Sequence, residues 1–84
     1  MTRILYFASL REKIGLASEE VSLPSEVSTV GELIAWLKSR GPRYADALGD
    51  PRVVKAAVNQ DYAGMEQRVE DQDEIALFPP VTGG

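Results

Sequence analysis

The two most apolar short runs of the chain sit at its opposite ends, and this placement constrains the fold more than any other feature. Arg3-Ile4-Leu5-Tyr6-Phe7-Ala8 opens the sequence, and Glu74-Ile75-Ala76-Leu77-Phe78 nearly closes it. Each is short and rich in β-forming residues, so each predicts a strand, and the first reads as a strand covered on both faces. Within it, Ile4, Tyr6 and Ala8 point one way and Leu5 and Phe7 the other. Pro79 ends the last strand, because proline has no N–H to give to a ladder. As the most apolar strands, the two are expected to pair at the centre of one sheet.

A helix is expected between them. Thr29-Val30-Gly31-Glu32 has the form of a capping box, in which the Thr29 hydroxyl accepts from the N–H of Glu32 and the Glu32 carboxylate reaches back to the N–H of Thr29. Val30, Leu33, Ile34 and Leu37 then fall at the spacing of an amphipathic helix over about residues 30–40. Gly41 is placed as its left-handed cap and Pro42 as the stop, with Trp36 at the edge of the core. The remaining pieces are less patterned. Ser9 to Gly15 reads as one loose polar turn. Ser18 to Leu23 reads as a more exposed strand closed by Pro24, forming a hairpin with the first. Arg43 to Leu48 is a short second helix, stopped by Gly49 and Pro51. Val53 to Val58 is a strand, Asn59-Gln60-Asp61 a turn, and Tyr62-Ala63 the start of a short return strand. Gly64 to Val69 has no clear pattern. The acidic Glu70 to Glu74 reads as a solvated turn, since a calcium loop would need alternating carboxylates and a glycine inside it. First and last strands joined in parallel through a helix, by the usual right-handed crossover, make an α+β, two-layer domain: a mixed sheet on one main helix plus a short second helix. This is the β-grasp, or ubiquitin-like, arrangement.

Size and composition narrow the function. Eighty-four residues make one domain, residues 1–84, with one small core and little room for a deep private active site. The chain has no cysteine and no histidine. It therefore lacks a thiolate nucleophile, the usual general base and the commonest metal ligands, and no metal site is expected. A net charge of −4 argues against a nucleic-acid binder. Arg40, Arg43 and Arg52 read as solvated surface. No run is long enough to span a membrane, and the N-terminus lacks a signal-peptide pattern, so the expected setting is the cytoplasm.

The end of the chain, Phe78-Pro79-Pro80-Val81-Thr82-Gly83-Gly84, carries the functional signal. Two prolines stiffen the approach, and two glycines follow that add no side-chain bulk. From Pro79 to Gly84 the reach is roughly 20 Å when extended. A stiff stem followed by a bare thread suits a terminus that must enter a narrow site on another protein, and residues 79–84 are expected as a flexible tail. Taken alone, Gly-Gly also reads as a frayed end. Parity adds a docking surface: if Ile75 and Leu77 face the helix, Phe78 faces out, with Phe7 and Tyr62 as its companions. For Phe7 a place in the core is equally open, because register cannot be read to one residue.

These residues resemble those of a known family. The ending Phe78-Pro79-Pro80-Val81-Thr82-Gly83-Gly84 is similar to that of the small subunit of molybdopterin synthase, the MoaD-type sulfur carriers. Leu5-Tyr6-Phe7-Ala8 with Leu10-Arg11-Glu12 and Gly15 resembles the family's opening strand and Arg-Glu loop, and Ala57-Val58-Asn59-Gln60 its mid-chain strand and turn. The resemblance implies a β-grasp fold. It also implies an ATP-dependent, E1-like activating enzyme that adenylates the Gly84 carboxylate, and a sulfurtransferase donor whose sulfur replaces AMP to leave a thiocarboxylate. The loaded tail would then enter the large synthase subunit, within a heterotetramer, and pass sulfur to cyclic pyranopterin monophosphate. Phe7, Tyr62 and Phe78 match the family's hydrophobic contact positions, Pro79, Pro80, Val81 and Thr82 form the inserted stem, and Gly83 and Gly84 give access to the reacting carbon. No permanently bound cofactor is implied, and the catalytic groups are expected on the large subunit. Three other readings fit parts of the chain: a thiazole-type or Urm-like sulfur carrier, a ubiquitin-like modifier joined to lysine through Gly84, and an interaction module with an inert tail.

Overall fold

A computed structural model describes residues 1–80 of the chain. Its elements in order are β1 (Thr2–Tyr6), α1 (Ala8–Ile14), β2 (Ser18–Val21), α2 (Val30–Lys38), α3 (Pro42–Leu48), a 3-10 turn (Pro51–Val53), β3 (Lys55–Val58), β4 (Asp61–Ala63) and β5 (Glu74–Phe78). The five strands form one sheet in the order β2-β1-β5-β3-β4, with β1 and β5 parallel and the other neighbours antiparallel. The two terminal apolar runs do pair inside the sheet, and the fold is the expected α+β β-grasp.

The core lies between one face of this sheet and the helices. Ile4, Tyr6, Ile75 and Leu77 on the central strands meet Val30, Leu33 and Leu37 of α2, and all are 1% exposed or less. Val27 and Val69 close the rim. The apolar stripe read from α2 is therefore the stripe that the helix buries.

Several local expectations are corrected. Residues 9–15 are not a loose turn: Ala8–Ile14 is a helix that buries Leu10 and Ile14 and ends on Gly15 at φ 87°. Two apolar positions four apart were its sole signal, and three charged residues around them read as loop. β1 therefore stops at Tyr6, and Ala8 starts α1 instead of sharing a face with Ile4 and Tyr6. Nor is β1 covered on both faces, since Arg3 and Phe7 are exposed and Leu5 is half-buried. Thr29 caps α2 as expected, accepting from Glu32 N at 3.2 Å. The reciprocal bond is shifted by one residue: Glu32 Oε1 accepts from both N and Oγ of Ser28, each at 2.9 Å. Gly41 is not a left-handed cap. Its φ of 160° is extended backbone, and it leads directly into α3, whose first position Pro42 occupies. Val53 belongs to the 3-10 turn and Asp61 to β4. The unpatterned stretch 64–69 folds back on α2, where Val30 N and Gly31 N donate to Gln67 O and Met65 O, both at 2.9 Å. Its geometry follows a helix start rather than any periodicity of its own.

Candidate docking face

Strand register builds the candidate site on the sheet face away from the helices. Leu5 pairs with Ala76, Ala76 with Ala57, and Ala57 with Tyr62, so one row crosses four strands. In the next row Phe78 stands opposite Lys55. Phe7 lies just past the end of β1, where its N–H donates to Leu77 O at 3.1 Å and continues the β1–β5 ladder. The two alanines make a low floor and the aromatic residues stand above it. The result is a shallow groove of about 380 Å³ lined by Phe7, Ala57, Gln60, Tyr62, Ala76 and Phe78. The Tyr62 and Phe78 rings meet edge to face, with centroids 5.9 Å apart.

This exposure is costly. Phe7 is 47% and Tyr62 84% exposed, although burying a large apolar side chain is favourable by roughly 1.5–3 kcal/mol. A contiguous apolar patch that a small fold leaves open marks a surface for a partner. Phe7 is thereby settled on the outer face and not in the core.

Local chemistry fixes the hairpin that carries Tyr62. Tyr62 follows a two-residue turn in which Asn59 and Gln60 both have positive φ, 50° and 74°, the signature of a hairpin turn whose twist matches its strands. Asn59 is well suited to this conformation and is tied to the start of β5: its N–H donates to Glu74 O at 2.7 Å, and its Oδ1 accepts from Glu74 N at 2.9 Å. Asp73 Oδ1 accepts from Asn59 Nδ2, and Asp73 Oδ2 accepts from Glu70 N. The acidic stretch thus uses Asp73 to shape a turn. Among the described residues, no group of three or more potential ligands is placed to hold a metal ion.

Beneath the face, Tyr6 anchors the end of β1. Its hydroxyl donates to Glu19 Oε2 at 2.7 Å, as does that of Tyr44, and Arg40 Nη1 lies 3.0 Å from Glu19 Oε1. Burial pushes the Glu19 carboxyl up, but the bonds from Tyr44, Tyr6 and Arg40 outweigh it and hold the group below the usual carboxylate value. Burial and the Glu19 carboxylate push both phenols up. The Arg40 guanidinium also lies 5.2 Å from the Trp36 ring and 5.3 Å from that of Tyr44. Arg52 pairs instead with Asp50, so Arg40 and Arg52 belong to separate pairs.

The structure brings together Phe7, Tyr62 and Phe78, as expected from parity. Pro79 and Pro80 follow directly and are half-buried. Val81, Thr82, Gly83 and Gly84, the remaining expected site residues, lie outside the described residues. Sequence reasoning missed the floor, Ala57 and Ala76, and the flanking Leu5 and Lys55. The available signal was the alternation along β5, which places Glu74, Ala76 and Phe78 on one side. No described helix is long and apolar enough to cross a membrane.

Comparison with known proteins places this geometry among relatives. The family model described as the ThiS family matches residues 4–84. The molybdopterin synthase sulfur carrier subunit of Escherichia coli is 39% identical over the full length of both chains. Among solved structures, a putative molybdopterin converting factor, subunit 1, from Pyrococcus furiosus superposes with a TM-score of 0.77 at 30% identity, covering 95% of this chain and 97% of the other. SAMP1 of Haloferax volcanii, a small archaeal modifier protein, gives 0.73 at 26% identity, covering 99% and 98%.

Proposed function

The chain belongs to the ThiS family, and on that premise we propose that it is the sulfur-carrying small subunit of a molybdopterin synthase, with sulfur held as a thiocarboxylate on Gly84. The observation that carries the reading is the position of β5. It lies between β1 and β3, and it ends at Phe78 beside the open aromatic groove. Docking on that groove places a partner next to the root of the tail.

The chemistry follows from what a carboxylate can and cannot do. Its charge is delocalised and oxide is a very poor leaving group, so it does not exchange oxygen for sulfur unaided. Attack of the Gly84 carboxylate on the α-phosphate of ATP, on an activating enzyme, expels pyrophosphate and gives an acyl adenylate. Hydrosulfide supplied through a sulfurtransferase then displaces AMP, and the thioacid loses its proton. The resulting thiocarboxylate is nucleophilic at sulfur and tethered to its carrier, which raises its effective concentration at the acceptor without releasing sulfide. When the thiocarboxylate sulfur displaces an oxygen substituent from carbon of cyclic pyranopterin monophosphate in the large subunit, the link to Gly84 becomes a thioester, which water opens to regenerate the carboxylate and leave the thiol on the product. A dithiolene needs two sulfurs, and therefore two loaded carriers per product. Gly83 and Gly84 leave the acyl carbon unhindered. The absent histidine and cysteine fit a chain whose catalysts are its partners.

Deleting Gly84 tests this directly. The truncated chain is expected to keep its thermal midpoint and to lose all sulfur loading and transfer, read as loss of the oxygen-to-sulfur mass shift in the C-terminal peptide. Comparable molybdopterin formation by the truncated chain would sink the proposal. The likeness to a small archaeal modifier protein favours a second reading, in which the same adenylate is attacked by a lysine amine. Lysine-linked adducts in place of the terminal mass shift identify that outcome.

A further inference from the structure

The outer face carries two cations in unlike settings. Arg3 stands in register between Glu20 on β2 and Glu74 on β5, so acidic neighbours flank it within its own row. Lys55 stands opposite Phe78 on one side. On its other side the chain turns away at Gly64, where a Cβ would meet nothing within 4 Å. Among the described residues neither cation has a carboxylate within salt-bridge distance, but Arg3 has a glutamate on each neighbouring strand and Lys55 has an aromatic ring and a glycine. Lys55 is exposed. With Ala56, Tyr62, Ala63, Gly64 and Phe78 it lines a second hollow of about 420 Å³ at the β4 side of the aromatic groove. On a chain of net charge −4 this is a local positive point set into an apolar wall, next to the residue from which the tail departs.

We propose that Lys55 is a specificity-determining residue for the large subunit, pairing with a carboxylate on the surface that covers Tyr62 and Phe78. The inference rests on the sulfur-carrier reading above. Of the partners which that reading requires, the large subunit is the one that the relatives' own name implies. Three features fit a carboxylate there. Any protein that encloses the tail must pass beside Phe78, and so beside Lys55. Apolar contact with Tyr62 and Phe78 excludes water around the ammonium, which strengthens its attraction to an opposite charge. The acidic balance of the rest of the chain disfavours partners that lack cations elsewhere, so one reversed charge sets docking register.

The test is calorimetric titration of the full-length chain into the large subunit. Lys55→Glu is expected to weaken binding about tenfold or more, through like-charge apposition. Lys55→Met keeps the apolar stem and should weaken it about threefold. Neither should move the thermal midpoint, because the side chain is exposed. Wild-type affinity should fall more steeply with added salt than that of Lys55→Met. Replacing one interface carboxylate of the large subunit by lysine should restore binding of the Lys55→Glu chain. If both Lys55 variants bind as wild type does, the inference fails and the sulfur-carrier reading stands. If the wild-type chain itself does not bind the large subunit, both fail.

Discussion

The two faces of this sheet are made by the same strands and the same alternation, yet they meet opposite fates. The inner face places Ile4, Tyr6, Ile75 and Leu77 under the helices, none more than 1% exposed. On the outer face no described helix covers Leu5, Phe7, Ala76, Phe78 and Tyr62, and Ala57 lies low between them. A domain of this size can cover one face of its sheet, and polar residues would be the ordinary choice for the other. Polar residues do occupy one end of it, in the row Glu20–Arg3–Glu74, and the aromatic residues gather at the other end, where β5 gives way to the tail. The inner face therefore carries stability, and on the proposed reading the aromatic end of the outer face serves recognition. That division can be broken at adjacent residues.

Leu77→Ala and Phe78→Ala form the sharpest pair, because the two positions are consecutive on β5. Leu77 is fully buried, and removing its side chain should cost about 3 kcal/mol. In a domain this small, that lowers the thermal midpoint by roughly 12 °C or more. Phe78 is partly exposed, and its truncation should cost under about 1 kcal/mol of stability while weakening partner binding by about 2 kcal/mol, near thirtyfold. A Phe78→Ala chain that melts early and binds normally would assign Phe78 to the core and overturn the two-face account.

This division was half legible in the sequence. Strand parity placed Phe78 outside, because Ile75 and Leu77 had an apolar helix stripe to meet. It could not decide Phe7, whose orientation depends on where β1 stops. The chain leaves the sheet after Tyr6 through Ala8, a residue with no turn preference, at a positive φ of 52°. α1 was hidden for a related reason. Its seven residues bury two apolar side chains, and packing against α3, not local propensity, holds it in place. Residues 64–69 take their path from the backbone of α2, which no pattern within them encodes. The capping box was read correctly in type and off by one residue in partner, because Ser28 and Thr29 are both competent donors. The fold followed from the few long-period features, and the floor of the groove did not, since Ala57 and Ala76 matter through the smallness of their side chains.

Glu19 sharpens the inner side of the comparison. It faces the helices from edge strand β2 and accepts from Tyr6, Tyr44 and Arg40, joining β2 to the end of β1 just before Phe7. Its folded-state carboxyl is held below the ordinary value, so its contribution to stability is present in full above the unfolded-state value and is lost as pH falls through the folded-state one. Glu19→Gln should therefore destabilise the chain by about 2 kcal/mol near neutral pH, and the two proteins should converge in strong acid. Thermal midpoints measured along a pH series check this. A gap that stays constant down the series would mean that shape, and not charge, is what the network supplies.

The smallest effect tests the hinge between the two faces. Ala8 has φ 52° and is the residue at which the chain leaves the sheet for α1. Phe7 before it is extended, at φ −122° and ψ 152°, and remains on the β1–β5 ladder. The left-handed turn sends Leu10 and Ile14 to the core and leaves the Phe7 ring outside. For alanine that conformation costs roughly 1–2 kcal/mol; glycine escapes this cost but loses roughly 0.5–1 kcal/mol in chain entropy. Ala8→Gly should thus raise stability slightly, by about 0.5 kcal/mol, whereas a glycine placed at an ordinary helical position would lower it. Because the strain holds Phe7 in place only through the backbone, the ladder bond to Leu77 should keep the ring outside and partner affinity should stay near wild type. Denaturant midpoints for Ala8→Gly and for a control glycine at Ala35, exposed within α2, separate the cases: a loss at both positions would show that Ala8 is unstrained and that α1 packing alone turns the chain.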